Sequence, residues 1–223
     1  MDLLISTYNL FLKYHEVFLE GLIATLKTAS LVVIVGTLLG SILALLKYVK
    51  FKPLNLLLSF YIELIRGTPL LLQLYFFYLA LPIILNMELS TAFCIITALI
   101  VNSSAYVAEI FRAGIQAVDQ GQFEAASSLG MSSFNMMTRI ILPQAIKNIL
   151  PALGNEFVMM IKETSLSSTF FMSDIMTSFQ IVSSNSYLTI ESLIIVGLIY
   201  FTLTTIFSRG ISFLEKRLSH NEL

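Results

Sequence analysis

The sequence predicts an all-α integral membrane protein with five transmembrane helices. Of its 223 residues, 57% are hydrophobic and only 12% are charged, which leaves too little polar surface to cover a water-soluble globule. Apolar runs recur along the chain, and a membrane span needs roughly 20 such residues. A chain of this length therefore holds about five or six helices, and no separate soluble domain fits.

The breaks between apolar runs define the predicted spans. The first span begins only after several charged residues, so a cleaved signal peptide is not expected. The second contains Gly67 and Pro69, and the proline there removes a backbone donor and bends the helix. The spans are predicted at 22–46, 56–85, 89–111, 150–171 and 188–207 of a single transmembrane domain, 1–223, with a cytoplasmic loop at 113–148.

Basic residues set the predicted orientation, although the net charge is only −1. They follow the odd-numbered spans, whereas the opposite loops, 82–88 and 172–187, contain acids but no Lys or Arg. The positive-inside rule therefore places the amino terminus outside and the carboxyl terminus in the cytoplasm. The basic residues assigned to the cytoplasmic side are Lys47, Lys50, Lys52, Arg112, Arg139, Lys147, Arg209, Lys216 and Arg217.

The polar segment after the third span has the pattern of two short helices joined at a glycine. Gly130 supplies a left-handed stop for the first helix, and Ser132 or Ser133 caps a second helix that runs to Leu142. The alanines of the first helix form a small-residue face that a soluble protein can approach, although an ordinary amphipathic loop is the alternative. The residues predicted to contact such a partner are Glu124, Ala125, Ala126, Leu129 and Gly130.

The spacing of this segment is EAAxxxG at 124–130, then nine residues and IxLP at 140–143. It resembles the EAA loop in membrane subunits of bacterial ATP-binding cassette (ABC) importers. Four further stretches resemble the polar amino acid permeases of the histidine and glutamine type. Together the matches cover nearly the whole chain in the correct order. The further stretches are ELIRGTP at 63–69, NSSAYVAEI at 102–110, PALGN at 151–155 and KETSL at 162–166.

The resemblance implies a type I importer permease in the bacterial inner membrane. Its five-helix core would work as a homodimer or heterodimer, bound to two cytoplasmic ATPase subunits that hold ATP and Mg. An extracytoplasmic binding protein would deliver the amino acid, and the EAA loop would form the coupling helices. Many relatives carry Ser-Gly-Ala-Tyr where this chain has Ser103-Ser104-Ala105-Tyr106, so the local packing of the third span is left open.

The resemblance fits arginine, lysine, histidine, glutamine, glutamate or cystine as cargo. The acids Glu63, Glu109 and Glu163 favour a cationic amino acid. Lys162 and Glu163 are adjacent and point about 100° apart on a helix, roughly 18 Å along the fourth span. Glu163 could receive a cationic group and Lys162 an α-carboxylate, or both could form interhelical ion pairs, since unpaired charges are costly in a bilayer.

Other polar residues in the spans have both structural and substrate-contact interpretations. Glu63 and Arg66 are three residues apart on the second span, a spacing that favours mutual neutralisation. In the third span, Asn102 and Tyr106 share a helix face, and with Ser103 they are candidates to line the substrate path or to pack helices closely.

Several chemistries are not supported by the sequence. It contains no GxxxxGK[ST] phosphate loop, so ATP hydrolysis falls to a partner and the chain is not expected to be an enzyme. His15 and His220 are far apart in the sequence, so neither a metal site nor another bound cofactor is predicted, and no nucleic-acid partner is expected. The rival functions are an ion-coupled secondary carrier with Glu63, Lys162 and Glu163 as a relay, and a membrane scaffold that only recruits a soluble protein.

Overall fold

All regular secondary structure in the described residues is helical, which confirms the all-α prediction. The structure is a computed structural model that describes residues 2–49 and 51–219, so Lys50 and His220 lie outside the described residues. The α-helices are α1 (Asp2–Leu46), α2 (Lys52–Arg66), α3 (Leu70–Leu85), α4 (Thr91–Gln116), α5 (Gln120–Ser128), α6 (Ser133–Met136), α7 (Leu142–Glu163), α8 (Ile175–Ser186) and α9 (Thr189–Ser219).

Three of the described helices are long and apolar enough to cross a membrane by themselves. They lie within α1, α4 and α9, and α2 with α3 qualifies as a fourth, broken span. The helix that covers the predicted fourth span, α7, is not among them; it carries Lys147, Glu156, Lys162 and Glu163. The count of five spans therefore stays a prediction.

The break between α2 and α3 occurs where the proline predicted it. Helix α2 ends at Arg66, and Pro69, with an extended backbone, precedes the first residue of α3. The amide of Gln73 donates hydrogen bonds to the backbone oxygen and the hydroxyl of Thr68, at 3.2 and 2.9 Å. A buried side chain thus satisfies backbone and hydroxyl acceptors at the start of α3.

The described residues form two compact units. The first unit comprises the segments up to Ile34, Thr68–Ile100 and Phe157–Phe207. Its main core joins apolar side chains of α1, α3, α4 and α7 with Phe170 from the 3₁₀ segment Thr164–Phe170. A second core, which includes Phe18 and Ile175, packs α8 between α1 and α9.

The second unit comprises Val35–Gly67, Val101–Glu156 and the described chain from Ser208 on. In this unit α1 packs directly on α4 through Gly36 and Gly40. A Cβ added to Gly36 would lie 2.8 Å from the Ser103 hydroxyl, and one added to Gly40 would lie 2.7 Å from the backbone oxygen of Ser104. Glycines four residues apart provide this close approach between membrane helices.

The helix that begins at Ser133 does not end at Leu142, so the predicted end was wrong. A π-helical segment, Met137–Ile141, follows α6 and leads directly into α7. The backbone N–H of Leu142 donates to the oxygen of Met137, five residues earlier. The wider turn accommodates Pro143, whose missing donor and ring would disturb a regular α-helix at this point.

We expect Gly40→Ala to destabilise the protein, because the new methyl group would meet the α4 backbone rather than a movable side chain. Overpacking of this kind costs about 1–3 kcal/mol. Thermal unfolding in detergent should therefore show a lower midpoint. The control is Gly197→Ala, where an added Cβ meets no heavy atom within 4 Å; equal midpoints for the two variants would contradict the packing argument.

Candidate functional site

The helix pair predicted between the third and fourth spans is present in the structure. We call Gln120–Met136 the Gly130 segment. Asp119 caps α5 by accepting a hydrogen bond from the backbone N–H of Gly121 at 2.7 Å. Gly130 has φ +71°, and Ser132 accepts from the backbone N–H of Asn135 at 3.3 Å. The left-handed glycine and the Ser132 cap are therefore confirmed.

The Gly130 segment exposes two large apolar side chains. Leu129, at the end of α5, is 81% exposed, and Phe134, on α6, is 75% exposed. Glu124 and Ala125 are also exposed, whereas Ala126 is buried. The segment therefore presents apolar surface on both sides of its glycine, and such exposed patches commonly mark contacts with another molecule.

A small apolar core holds the Gly130 segment in place. Its buried members come from the end of α4, the residues after it, the π-helical segment and the start of α7. Phe123 and Met136 of the segment pack against them. Gly114 allows α4 and α7 to approach, because an added Cβ would lie 2.4 Å from the Ile149 side chain. A packed apolar core thus supports the exposed side chains of the segment. The buried members are Ile115, Val118, Ile141, Ala145 and Ile149.

The predicted polar face of α4 is largely buried in the second unit. Asn102 is 3% exposed and Ser103 is fully buried, whereas Tyr106 is half-buried. The Ser103 hydroxyl donates a hydrogen bond to the carboxyl group of Glu156, at 2.9 Å. Glu156 is itself 5% exposed, so this pair satisfies two polar groups inside the protein.

Ser104, where the resemblance implies a glycine, has a structural role. The Tyr61 hydroxyl of α2 donates to the backbone oxygen of Val101 at 3.0 Å. The Ser104 hydroxyl lies 2.8 Å from the Tyr61 hydroxyl, to which it can donate, and 2.8 Å from the same Val101 oxygen. Ser104 therefore adds a hydrogen bond between α4 and α2 that a glycine at position 104 would lack.

The predicted neutralisation of Arg66 by Glu63 was wrong. Arg66 pairs with Glu109 on α4, at 3.6 Å, and its guanidinium lies 5.6 Å from the centre of the Tyr106 ring. Glu109 also accepts two hydrogen bonds from Arg112. Glu63 is exposed and forms no ion pair among the described residues. The partner from another helix prevails because the packing of α2 on α4 brings Glu109 within reach of Arg66.

Lys162 and Glu163 lie in the first unit, at the end of α7, whereas the other substrate-path candidates lie in the second. Lys162 is exposed and Glu163 is half-buried, as expected for adjacent residues that face different directions on a helix. The 3₁₀ segment follows at once, and the hydroxyls of Thr164, Ser167 and Ser168 donate to backbone oxygens three residues earlier. These bonds satisfy the polar side chains locally.

Sequence reasoning missed two acids that the structure places in buried positions. Glu156 lies in the predicted fourth span, and an acidic residue in an apolar segment was itself the available signal. Asp174 lies in the predicted loop, where acidic residues are common. Nothing in the sequence indicated that its side chain is only 2% exposed. Among the described residues, no group of three or more His, Cys, Asp or Glu could hold a metal ion.

Comparisons with known proteins show to which family the chain belongs. Residues 36–220 match the family described as binding-protein-dependent transport system inner membrane component. The chain belongs to this family. It is therefore a transport component that passes through the inner membrane several times, as the resemblance implied.

Relatives of similar length support this assignment. The chain is 41% identical over 204 residues to the arginine transport system permease protein ArtQ of Bacillus subtilis, covering 92% of this chain and 93% of that protein. It is 42% identical over 199 residues to the putative glutamine transport system permease protein GlnP of Rickettsia bellii, covering 89% and 91%.

Solved structures share the fold. One, described as an amino acid ABC transporter with histidines, has 48% identity and a TM-score of 0.89, covering 93% of this chain and 96% of that one. An inward-facing MetNI methionine ABC transporter has a TM-score of 0.69 at 14% identity, covering 90% and 97%. The second likeness shows the fold alone.

We expect Glu109→Gln to destabilise this permease and Glu63→Gln to leave its stability unchanged. Glu109 is the charged partner of Arg66 and Arg112, whose side chains are 41% and 43% exposed. Solvent screening therefore limits the decrease in the free energy of unfolding to about 1 kcal/mol. Thermal unfolding in detergent measures the difference. A larger effect of Glu63→Gln would restore the pairing expected from sequence spacing.

Proposed function

We propose that this chain, the permease subunit of an amino acid importer of the ABC class, carries a cationic amino acid and couples to a cytoplasmic ATPase through the Gly130 segment. The ATPase binds and hydrolyses ATP with Mg, and this chain forms the path that the amino acid takes across the membrane. The observation that carries the coupling proposal is the pair of exposed apolar side chains, Leu129 and Phe134, on a capped and anchored helix pair. The family assignment supports the transport proposal.

The Gly130 segment suits docking because the ends of its two helices are fixed. Its two caps and the left-handed glycine fix the helix ends, so Leu129 and Phe134 keep their positions before a partner binds. Preorganised surfaces lose less conformational freedom on association. Apolar anchors of this size commonly fill pockets on the partner, and the positive-inside rule places the segment on the ATPase side.

We further propose five membrane spans with the amino terminus outside, so that α7 crosses the membrane as the fourth. The charges of α7 are compatible with a span when they meet protein or a water-filled path instead of lipid. Glu156 supports this reading, because its carboxyl group is bonded to Ser103 inside the protein. A second permease copy or a homologous chain would complete the path, and an extracytoplasmic binding protein would deliver the cargo.

The preference for a cationic cargo rests on Glu163 and on the name of one relative. Glu163 is half-buried at the end of α7, where a carboxylate can attract an ammonium or guanidinium group in a partly dehydrated setting. An arginine permease is among the similar proteins, although putative glutamine permeases are equally similar. We propose Lys162, Glu63, Asn102, Ser103 and Tyr106 as the other polar residues of the path.

The first test concerns ATPase docking. We expect Leu129→Ser with Phe134→Ser to reduce copurification of the ATPase at least tenfold, because both apolar contacts are lost, while thermal stability changes little at such exposed positions. Glu124→Ala with Gly130→Ala should also weaken docking. The matched control is Ile190→Ser, a similarly exposed apolar residue (63%) on α9. Unchanged copurification in both double variants would reject the coupling role.

The second test concerns cargo. The chain is reconstituted in liposomes with its ATPase and binding protein, and uptake of labelled arginine, histidine and glutamine is measured. We expect uptake to require ATP and Glu163→Gln to reduce arginine uptake by about tenfold or more, the effect of losing roughly 1.4 kcal/mol of charge interaction. Equal losses for arginine and glutamine would assign Glu163 a structural role. Uptake driven by a proton gradient without ATP would favour a secondary carrier.

A further inference from the structure

Helix α8 begins at a carboxyl group that is buried and only half satisfied. Asp174 is 2% exposed, and its Oδ1 atom caps the helix by accepting a hydrogen bond from the backbone N–H of Thr177, at 2.6 Å. Its Oδ2 atom is buried and has no hydrogen-bond partner among the described residues. A buried carboxylate oxygen without a partner is energetically costly, so the state of this group affects the start of α8.

The hydroxyl of Tyr200 on α9 is a second buried polar atom without a partner among the described residues. Tyr200 packs against the core that contains Ile175, the residue after Asp174. Protonation of Oδ2 would remove the buried charge. The neutral carboxyl group is therefore easier to accommodate here than the ionised one.

The burial of Asp174 is tied to the docking of α8 on α1. The backbone N–H of Ile175 donates to the Thr25 hydroxyl at 3.1 Å, and the Ser178 hydroxyl donates to the backbone oxygen of Val17 at 2.8 Å. Gly21 makes this approach possible, because an added Cβ would lie 2.1 Å from the Ser178 hydroxyl. Separation of α8 from α1 would break these bonds and let water reach Asp174.

No cation of the described residues forms an ion pair with the buried Asp174 carboxyl group. Helix α8 and the 3₁₀ segment carry no charged side chain. On α1, Glu20 lines the small cavity of about 60 Å³ that Asp174 also lines, and Lys27 is exposed. On α9, Glu191 accepts a hydrogen bond from Ser6. Burial therefore raises the pKa of Asp174 from 3.8 to about 6.

We propose that Asp174 makes the docking of α8 onto α1 depend on pH, with the docked state taking up a proton at this carboxyl group and the separated state releasing it. Because the pKa is raised in the docked state, the protonated carboxyl group favours docking fully below the ordinary pKa. That contribution is lost as the pH rises through about 6. The outer part of the permease is thus held more firmly in an acidic medium than in a neutral one.

The test is hydrogen exchange of the α8 backbone in the full chain, in lipid nanodiscs at pH 5.5 and pH 7.5. After correction for the chemical exchange rate, we expect α8 to open about fourfold more at the higher pH, the ratio that a shift from 3.8 to about 6 gives. Asp174→Asn should remove this dependence, since its side chain does not titrate. An unchanged α8 in the parent chain would overturn the proposal.

Two matched variants separate the pH effect from general loosening. Glu20→Gln removes the other acid beside the cavity and should keep the fourfold change. Ser178→Ala removes an uncharged bond to α1, so it should increase exchange at both pH values by a similar factor. A pH dependence that survives in Asp174→Asn but disappears in Glu20→Gln would assign the effect to Glu20 and reject the role of Asp174.

Discussion

Polar groups inside the apolar helices must find their partners within the protein, because the bilayer interior offers no hydrogen bonds. This constraint explains why the close contact of α1 with α4 and the polar face of α4 occur together. Gly36 and Gly40 bring the two backbones near, and Ser103 is then fully buried beside Glu156. The hydroxyls of Thr164 and Ser167 are satisfied in a similar way, by backbone oxygens three residues earlier.

The anchoring of the Gly130 segment and its exposure are complementary features. Its base is an apolar core built from α4, α7 and the residues between them, and its outer surface carries large apolar side chains that no part of the described chain covers. A flexible loop with the same composition would lose conformational entropy each time it bound a partner. The fixed helix ends lower that cost, which suits the ATPase contact proposed above.

Local sequence signals predicted local structure well. The left-handed Gly130, the cap at Ser132 and the break before α3 each depend on residues a few positions apart, so propensity and cap chemistry determine them. Long-range partners were not predictable in this way. Spacing suggested Glu63 for Arg66, but Glu109, more than 40 residues away, forms the pair, because helix packing decides which charges meet. The burial of Asp174 depends on the same kind of packing.

The π-helical turn at Met137–Ile141 has a consequence for the orientation of the residues before it. In a regular α-helix, Phe134 and Ile141 are seven residues apart and would face the same side. Here Ile141 is fully buried and Phe134 is 75% exposed. One extra residue in a turn changes the phase of the helix by about 100°. The turn thus acts as a rotational offset: it turns Phe134 about 100° away from the direction it would have in a regular helix of the same sequence, so that the ring lies on the outer surface and Ile141 in the core.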